Sequence, residues 1–340
     1  MKTGTRDHLR DQSGFSLVEI MVGLLIGMLG IIVMMQVYST AEERKRTTTA
    51  GSDAQNTAVI ALDILQRDIT RSGLGFANKE LLNNCTIQLP NGAPIPLAPV
   101  IINPAANVIP AGDANTDTLL IAYGIADDQP DGYIITNQSG TVYTIQGTGS
   151  MKQGDRVLAS AMPCAGTLRL GTIQSVNLSS ITLNTSSVGA ALYNLGANPR
   201  FLAYAVRNGN LTVCDYMAND CSVAGSVANA NIWRPIANNV VSLRAQYAHA
   251  GNVFDQTTPA GCNGWFNTTQ AVRFALVTRS TQFEKEAVTG AAPAWSGSAT
   301  APVNLTTNTL ANPNEWTHYR YRVFETAAPI RNVSWMNGCT

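Results

Sequence analysis

The sequence predicts an α+β chain: one long N-terminal helix packed on an antiparallel β-sheet domain. Three observations carry this. Residues 20–35 form an unbroken apolar run near the N-terminus, no proline occurs before Pro90, and from Pro90 onward short apolar runs alternate with turn residues. The 340 residues are enough for one or two domains. Only 13% are charged, about half the usual ~25%. Lys+Arg and Asp+Glu both number 22, so the net charge is zero, which argues against a nucleic-acid binder. At 45% hydrophobic, the chain also lacks the composition of a disordered one.

The helix comes first in the chain. The run IMVGLLIGMLGIIVMM alone is ~24 Å long as a helix. With Phe15, Leu17, Val18, Val37 and Tyr38 it reaches ~36 Å, enough to span a ~30 Å hydrocarbon core. Lys2, Arg6 and Arg10 precede it against Asp7 and Asp11. The positive-inside rule therefore places residues 1–14 in the cytoplasm and the bulk of the chain outside. Past the span, apolar positions continue at Ala54, Ala58, Leu62, Leu65 and Ile69, the stripe of a helix laid on a core. Asp63, Gln66, Arg67 and Asp68 fall between them, and Gly73 and Gly75 are stop signals. The spacing predicts one helix from about 15 to 72.

Strands follow, at 118–123, 133–136, 141–146, 156–160, 169–176, 180–183, 201–206, 211–213, 240–247, 271–278 and 318–324. Asn208-Gly209 between two of them is a hairpin signal. Residues 284–315, rich in Ala, Thr, Asn and Pro, read as a long exposed loop. The organisation is thus a leader at 1–14, a spanning half-helix at 15–38, an amphipathic half-helix at 39–73 and a β-rich domain at 74–340.

Six cysteines, Cys85, Cys164, Cys214, Cys221, Cys262 and Cys339, all lie beyond the apolar span. For an exported domain they are disulfide candidates. Cys214 and Cys221 close a short loop and make the natural pair. The other four allow three pairings, of which Cys85–Cys164 with Cys262–Cys339 follows their order in the chain. The three histidines, His8, His249 and His318, stand apart, and neither HExxH nor CxxC occurs. No metal and no cofactor is expected. Asp113, Asn115 and Asp117 have the spacing of a calcium-loop start without its glycine and bidentate acid, and Asp127, Asp128 and Asp131 form a second acidic knot. Both read as polar turns. Trp233, Trp265, Trp295, Trp316 and Trp335, all in the last third, read as packing. No catalytic motif appears, so no enzyme is expected.

Three readings of the N-terminus compete. Ser39-Thr40-Ala41 is a passable signal-peptidase site. A plain single-pass anchor is the second reading. The third rests on Ser13-Gly14-Phe15-Ser16-Leu17-Val18-Glu19, which resembles the class III signal of type IV prepilins: a basic leader ending in Gly, then Phe, then a carboxylate five residues into the new chain. A glutamate at the head of an apolar span costs up to ~2–3 kcal/mol, which suggests a function for Glu19. The resemblance implies a pilin-like fold, cleavage between Gly14 and Phe15 by prepilin peptidase, and methylation of the Phe15 amine. It also implies an assembly role for Glu19 through a neighbour's amine. Major pilins often carry a proline in this span; its absence suits a minor subunit.

Later segments are similar to minor pilins of the PilW family. They are Gln66-Arg67-Asp68-Ile69-Thr70-Arg71-Ser72-Gly73, Gly154-Asp155-Arg156-Val157-Leu158-Ala159-Ser160 before Cys164, the stretch from Phe201 to Gly209, and Tyr319-Arg320-Tyr321-Arg322-Val323-Phe324 with Arg331-Asn332. The resemblance implies other minor and major pilins, prepilin peptidase, inner-membrane lipid and the pilus assembly platform as partners, and a route from inner membrane to surface pilus. A minor pseudopilin of type II secretion shares the N-terminal features, and an adhesin or ligand-binding module at a pilus tip remains a further alternative.

Overall fold

The structure, a computed structural model, describes residues 14–78, 81–82, 85–126, 129, 131–161, 164, 166–306 and 315–334. For residues 43, 44, 46–56, 262 and 334 it describes the backbone alone. The chain divides into two compact units between Ala50 and Gly51. Helix α1 (Leu17–Arg71) contributes to both.

In the first unit the apolar side chains of α1 have no protein core. From Phe15 to Tyr38 every large hydrophobic residue is at least 45% exposed. The stretch Leu17–Glu42, 26 residues, is the one helix among the described residues long and apolar enough to cross a membrane.

In the second unit Ala58, Ala61, Leu65 and Ile69 are fully buried and Leu62 is half-buried, while Asp63, Gln66 and Arg67 are exposed. Ala54 lies outside the described side chains. Asp68 departs from the expected polar face: it is buried. Helix α1 ends where Gly73 adopts φ +82°; a Cβ there would come within 2.9 Å of the Ala77 Cβ. The amide of Asn332 donates to the carbonyls of Arg71 (2.9 Å) and Ser72 (3.0 Å), capping groups that a helix end leaves orphaned.

The strands are β1 (Thr86–Gln88), β2 (Ile95–Pro96), β3 (Val100–Ile102), β4 (Leu119–Tyr123), β5 (Tyr133–Ser139), β6 (Val142–Ile145), β7 (Arg156–Ser160), β8 (Thr167–Val176) and β9 (Ser180–Leu183). There follow β10 (Ala191–Gly196), β11 (Arg200–Arg207), β12 (Asn210–Asp215), β13 (Arg234–Asn238), β14 (Val240–His249), β15 (Val253–Asp255), β16 (Thr269–Arg279) and β17 (Tyr321–Pro329).

They form three sheets. A five-stranded sheet has the order β13-β12-β11-β4-β3 and a four-stranded one the order β15-β14-β16-β17. The third closes on itself: β5, β6, β9, β8, β7 and β10 pair in that order, and β10 returns to β5. This six-stranded antiparallel barrel is inserted between β4 and β11, which are neighbours in the five-stranded sheet. Its interior is its own core, with Tyr143, Val157, Ile173, Ile181 and Leu192 fully or almost fully buried. Closure removes the sheet edges that an inserted module would otherwise expose. The pairings are antiparallel except β1 with β8, which is parallel.

The hairpin at Asn208-Gly209 joins β11 and β12 through a two-residue turn with φ +51° and +69°, the left-handed pair that Asn-Gly favours. Strands β1, β2, β3, β10, β13 and β15 were outside the expectation. The first three and β15 have two or three residues each, β13 contains Pro235, and all six residues of β10 are buried, so no alternation marks it. The expected strand 318–324 lies instead at β17, preceded by a 3-10 turn at Glu315–His318. The expected exposed loop is not exposed throughout: Trp295, Ala301, Val303 and Leu305 are buried against Val241, Ala275 and Val277. Residues 307–314 lie outside the described set.

Two disulfides staple the β-rich unit, Cys214–Cys221 and Cys85–Cys164, with sequence separations of 7 and 79. The pair Cys262–Cys339 falls outside the described side chains. Loop entropy predicts unequal worth: removing Cys214–Cys221 is expected to cost about 2.5 kcal/mol and removing Cys85–Cys164 about 4.5 kcal/mol. Denaturant unfolding of the paired Cys→Ala variants checks the order; equal losses would contradict the chain-entropy account.

Candidate functional site

The N-terminal end of α1 is assembled from short-range rules. Gly14, Phe15 and Ser16 precede the helix and are exposed, Phe15 at 80%. The Ser16 carbonyl accepts from the Glu19 N–H (2.9 Å) and the Ile20 N–H (3.2 Å), which starts the helical ladder. Glu19 thus falls in the first turn, where the partial positive charge of the helix end favours a carboxylate. The peptide bond between Gly14 and Phe15 lies in exposed chain ahead of the helix, with nothing within 4 Å of the Gly14 Cβ position.

At 100° per residue, Glu19, Gly23, Gly27 and Gly30 share one face within an arc of ~80°. Nothing lies within 4 Å of the Cβ position of any of the three glycines. This stripe lets a second helix backbone come close, as small residues do in membrane helix pairs. The carboxylate stands at one end of that stripe, so a helix seated on the glycines would lie beside the charge.

At the other end of α1, Asp68 is buried against the five-stranded sheet. Its Oδ1 accepts from the Tyr123 hydroxyl at 2.9 Å and its Oδ2 from the Tyr204 hydroxyl at 2.5 Å. Tyr123 on β4 and Tyr204 on β11 project from the same face of adjacent strands. Burial, then the Asp68 charge and its hydrogen bond, push the Tyr123 hydroxyl up to about 12, and the same causes push Tyr204 well above its usual value. Asp68 escaped the sequence reading, yet its spacing carried the signal. It lies three residues after Leu65, next to Ile69, and so sits on the buried stripe.

The remaining candidates are placed as follows. Asp113 accepts from the backbone N–H groups of Asn208 (2.9 Å) and Gly209 (2.8 Å) and so pins the hairpin. Asp117 accepts from Arg244 (2.9 Å), Asn103 (2.9 Å), the Ala245 N–H (2.9 Å) and Gln256 (2.7 Å). Burial pushes its carboxyl up against the opposing pull of Arg244. Both carboxylates are thus engaged by protein donors. Among the described residues no group of three His, Cys, Asp or Glu side chains could hold a metal ion. Asp127 and Asp128 lie outside the described residues, and Asp131 accepts from Asn78 (3.3 Å).

His249 stands between Asp255 (3.4 Å) and Thr269 (3.2 Å), but the Thr269 hydroxyl donates to the Gly264 carbonyl (2.8 Å), so it is not presented as a nucleophile. Trp233, Trp265 and Trp295 are buried, Trp316 is half-buried and Trp335 is outside the described residues.

Residues 9–35 match the prokaryotic N-terminal methylation motif. No curated protein and no solved structure matches the chain. The matched segment contains Gly14, Phe15, Glu19 and the three glycines, and it marks the chain as a type IV pilin-like or pseudopilin-like substrate of prepilin peptidase that assembles with other pilins. Its single N-terminal apolar helix is consistent with a single-pass inner-membrane anchor.

Proposed function

We propose that the chain is a minor pilin of the PilW type that takes part in type IV pilus assembly and is not an enzyme. The observation that carries this reading is the uncovered Gly14–Phe15 bond just ahead of a helix that has Glu19 in its first turn and a 26-residue stretch, Leu17–Glu42, long and apolar enough to cross a membrane. Prepilin peptidase cuts after Gly14 on the cytoplasmic side, and the new Phe15 amine is methylated. The mature helix waits in the inner membrane and then joins a filament core. There the Glu19 carboxylate meets the Phe15 amine of a neighbour, brought near by the glycine face. A pair in an apolar bundle is tolerable where a lone charge is not, so it fixes register more than it adds stability. The β-rich domain, held by two disulfides, faces the periplasm and then the outside. The PilW-like segments support the finer reading by their order along the chain, falling at the end of α1, at β7 ahead of Cys164, at the β11–β12 hairpin and at β17.

Intact mass of the membrane-extracted protein tests processing. The expected chain begins at methylated Phe15. Replacing Gly14 with a bulky residue is expected to leave the precursor uncut, because the side chain obstructs the protease subsite. A native chain beginning near Glu42 would show instead that the segment is an ordinary signal peptide.

A further inference from the structure

The sheets differ in how their edges are finished. On β3 the Tyr247 hydroxyl accepts from the Ile102 N–H (2.9 Å) and donates to the Val100 carbonyl (3.1 Å). Strand β13 pairs through a register shift and contains Pro235, and β15 has three residues. These are the usual ways of blunting an edge. Strand β17 has none of them along most of its length. It runs nine residues in unbroken register with β16 and, among the described residues, has no partner strand on its other side.

The register fixes which groups are free. Ser280 N–H donates to the Arg320 carbonyl and Ile330 N–H to the Gln270 carbonyl. Antiparallel bonding alternates, so the even-numbered residues of β17 bond to β16 and the odd-numbered ones point outward. Among the described residues, the donors left free are therefore the N–H groups of Tyr321, Val323, Glu325 and Ala327. Pro329, the next outward residue, has none.

These four donors are symmetric about Phe324, and the geometry points to β17 as a pairing edge for a second copy of this chain, antiparallel and centred on Phe324. In that register Val323 meets Glu325 of the second copy and Tyr321 meets Ala327. All four donors of each copy then find carbonyls. A register centred on Glu325 would oppose two carboxylates and bring in Pro329, which lacks a donor; one centred on Val323 would leave Ala327 unpaired. In the Phe324 register Arg322 faces Thr326 and Glu325 faces Val323, so no like charges stand opposite each other. The contact is self-complementary and closes as a two-fold dimer. Arg322, Glu325 and Ala327 are exposed along it, and Phe324 is half-exposed at its centre.

The test uses the full chain in detergent micelles. Even-numbered residues form the non-bonded pairs between copies, with Cα atoms ~4.5 Å apart, within disulfide reach. Mixing Arg322→Cys chains with Thr326→Cys chains under mild oxidation is expected to give a cross-linked dimer above the background of the native chain. Neither variant alone is expected to do so, because each new cysteine lies ~13 Å from its own copy, too far to bridge. Val323→Pro removes one outward donor and no bond to β16, so it is expected to fold and to lower the dimer share of the 36.2 kDa protomer. Retained Cys214–Cys221 linkage reports the folding of that variant. No cross-link in the mixture, equal cross-linking of either variant alone, or an unchanged dimer share in folded Val323→Pro would each overturn the pairing.

Discussion

Glu19→Ala is expected to be cut and methylated like the native chain yet to be depleted from filaments. Glu19 lies five residues past the scissile bond, so the peptidase need not read its charge. Insertion is expected to be at least as good, since a costly carboxylate leaves the apolar span. In the assembled core, however, the neighbouring Phe15 amine would lose its partner. Breaking a buried pair by removing one member costs about 3–5 kcal/mol, against ~0–1 kcal/mol for an exposed pair. Glu19→Gln keeps the shape and part of the hydrogen bonding and is expected to fall between. Immunoblots of sheared surface filaments against membrane fractions measure the ratio. Native levels of Glu19→Ala in sheared filaments would mean that the carboxylate only snorkels to the headgroups, and the register role would have to be abandoned.

The second large effect is expected at Asp68, in the second unit. Asp68→Ala leaves the hydroxyls of Tyr123 and Tyr204 buried without their acceptor. Each charge-assisted hydrogen bond is worth about 1.5–3 kcal/mol, so a loss of about 3–6 kcal/mol is expected for the two. Asp68→Asn keeps one acceptor oxygen and is expected to lose about half as much. Denaturant unfolding of the detergent-purified chain gives both values. The alkaline limb offers an independent check. Both tyrosines have folded values raised above the unfolded ~10, so their contribution is complete below pH ~10 and is lost as pH rises through the folded values. For Tyr123 that window runs up to about 12. In Asp68→Ala the carboxylate's share of the upward push disappears while burial's share stays, so the decline should be shallower. Native stability in Asp68→Ala would refute the anchor.

The two positions differ in how they could be found. Glu19 is legible from neighbours in sequence, since glycine, phenylalanine, a carboxylate and an apolar run all fall within a few turns of one helix. Asp68 is not, because its partners come from strands 55 and 136 residues away. The same contrast holds for β17. Its residues read as a strand, but its place at a sheet edge depends on which strands found each other.

What the sequence determined by itself is local in origin. The apolar span, the prepilin-type segment around Gly14 and Phe15, the helix stop at Gly73 and the Asn208-Gly209 hairpin each depend on a few adjacent residues whose conformational preferences point one way. The tertiary structure alone decided the closed barrel between β4 and β11, the burial of Asp68 beneath two tyrosines, and the use of Asp113 to pin a hairpin rather than stand as a free carboxylate. It also decided the packing of Trp295 in a stretch that reads as loop. Each of these depends on contacts between segments far apart in the chain, where burial and hydrogen-bond satisfaction outweigh local preference. Period and composition along one segment do not encode which distant strand will supply the partner.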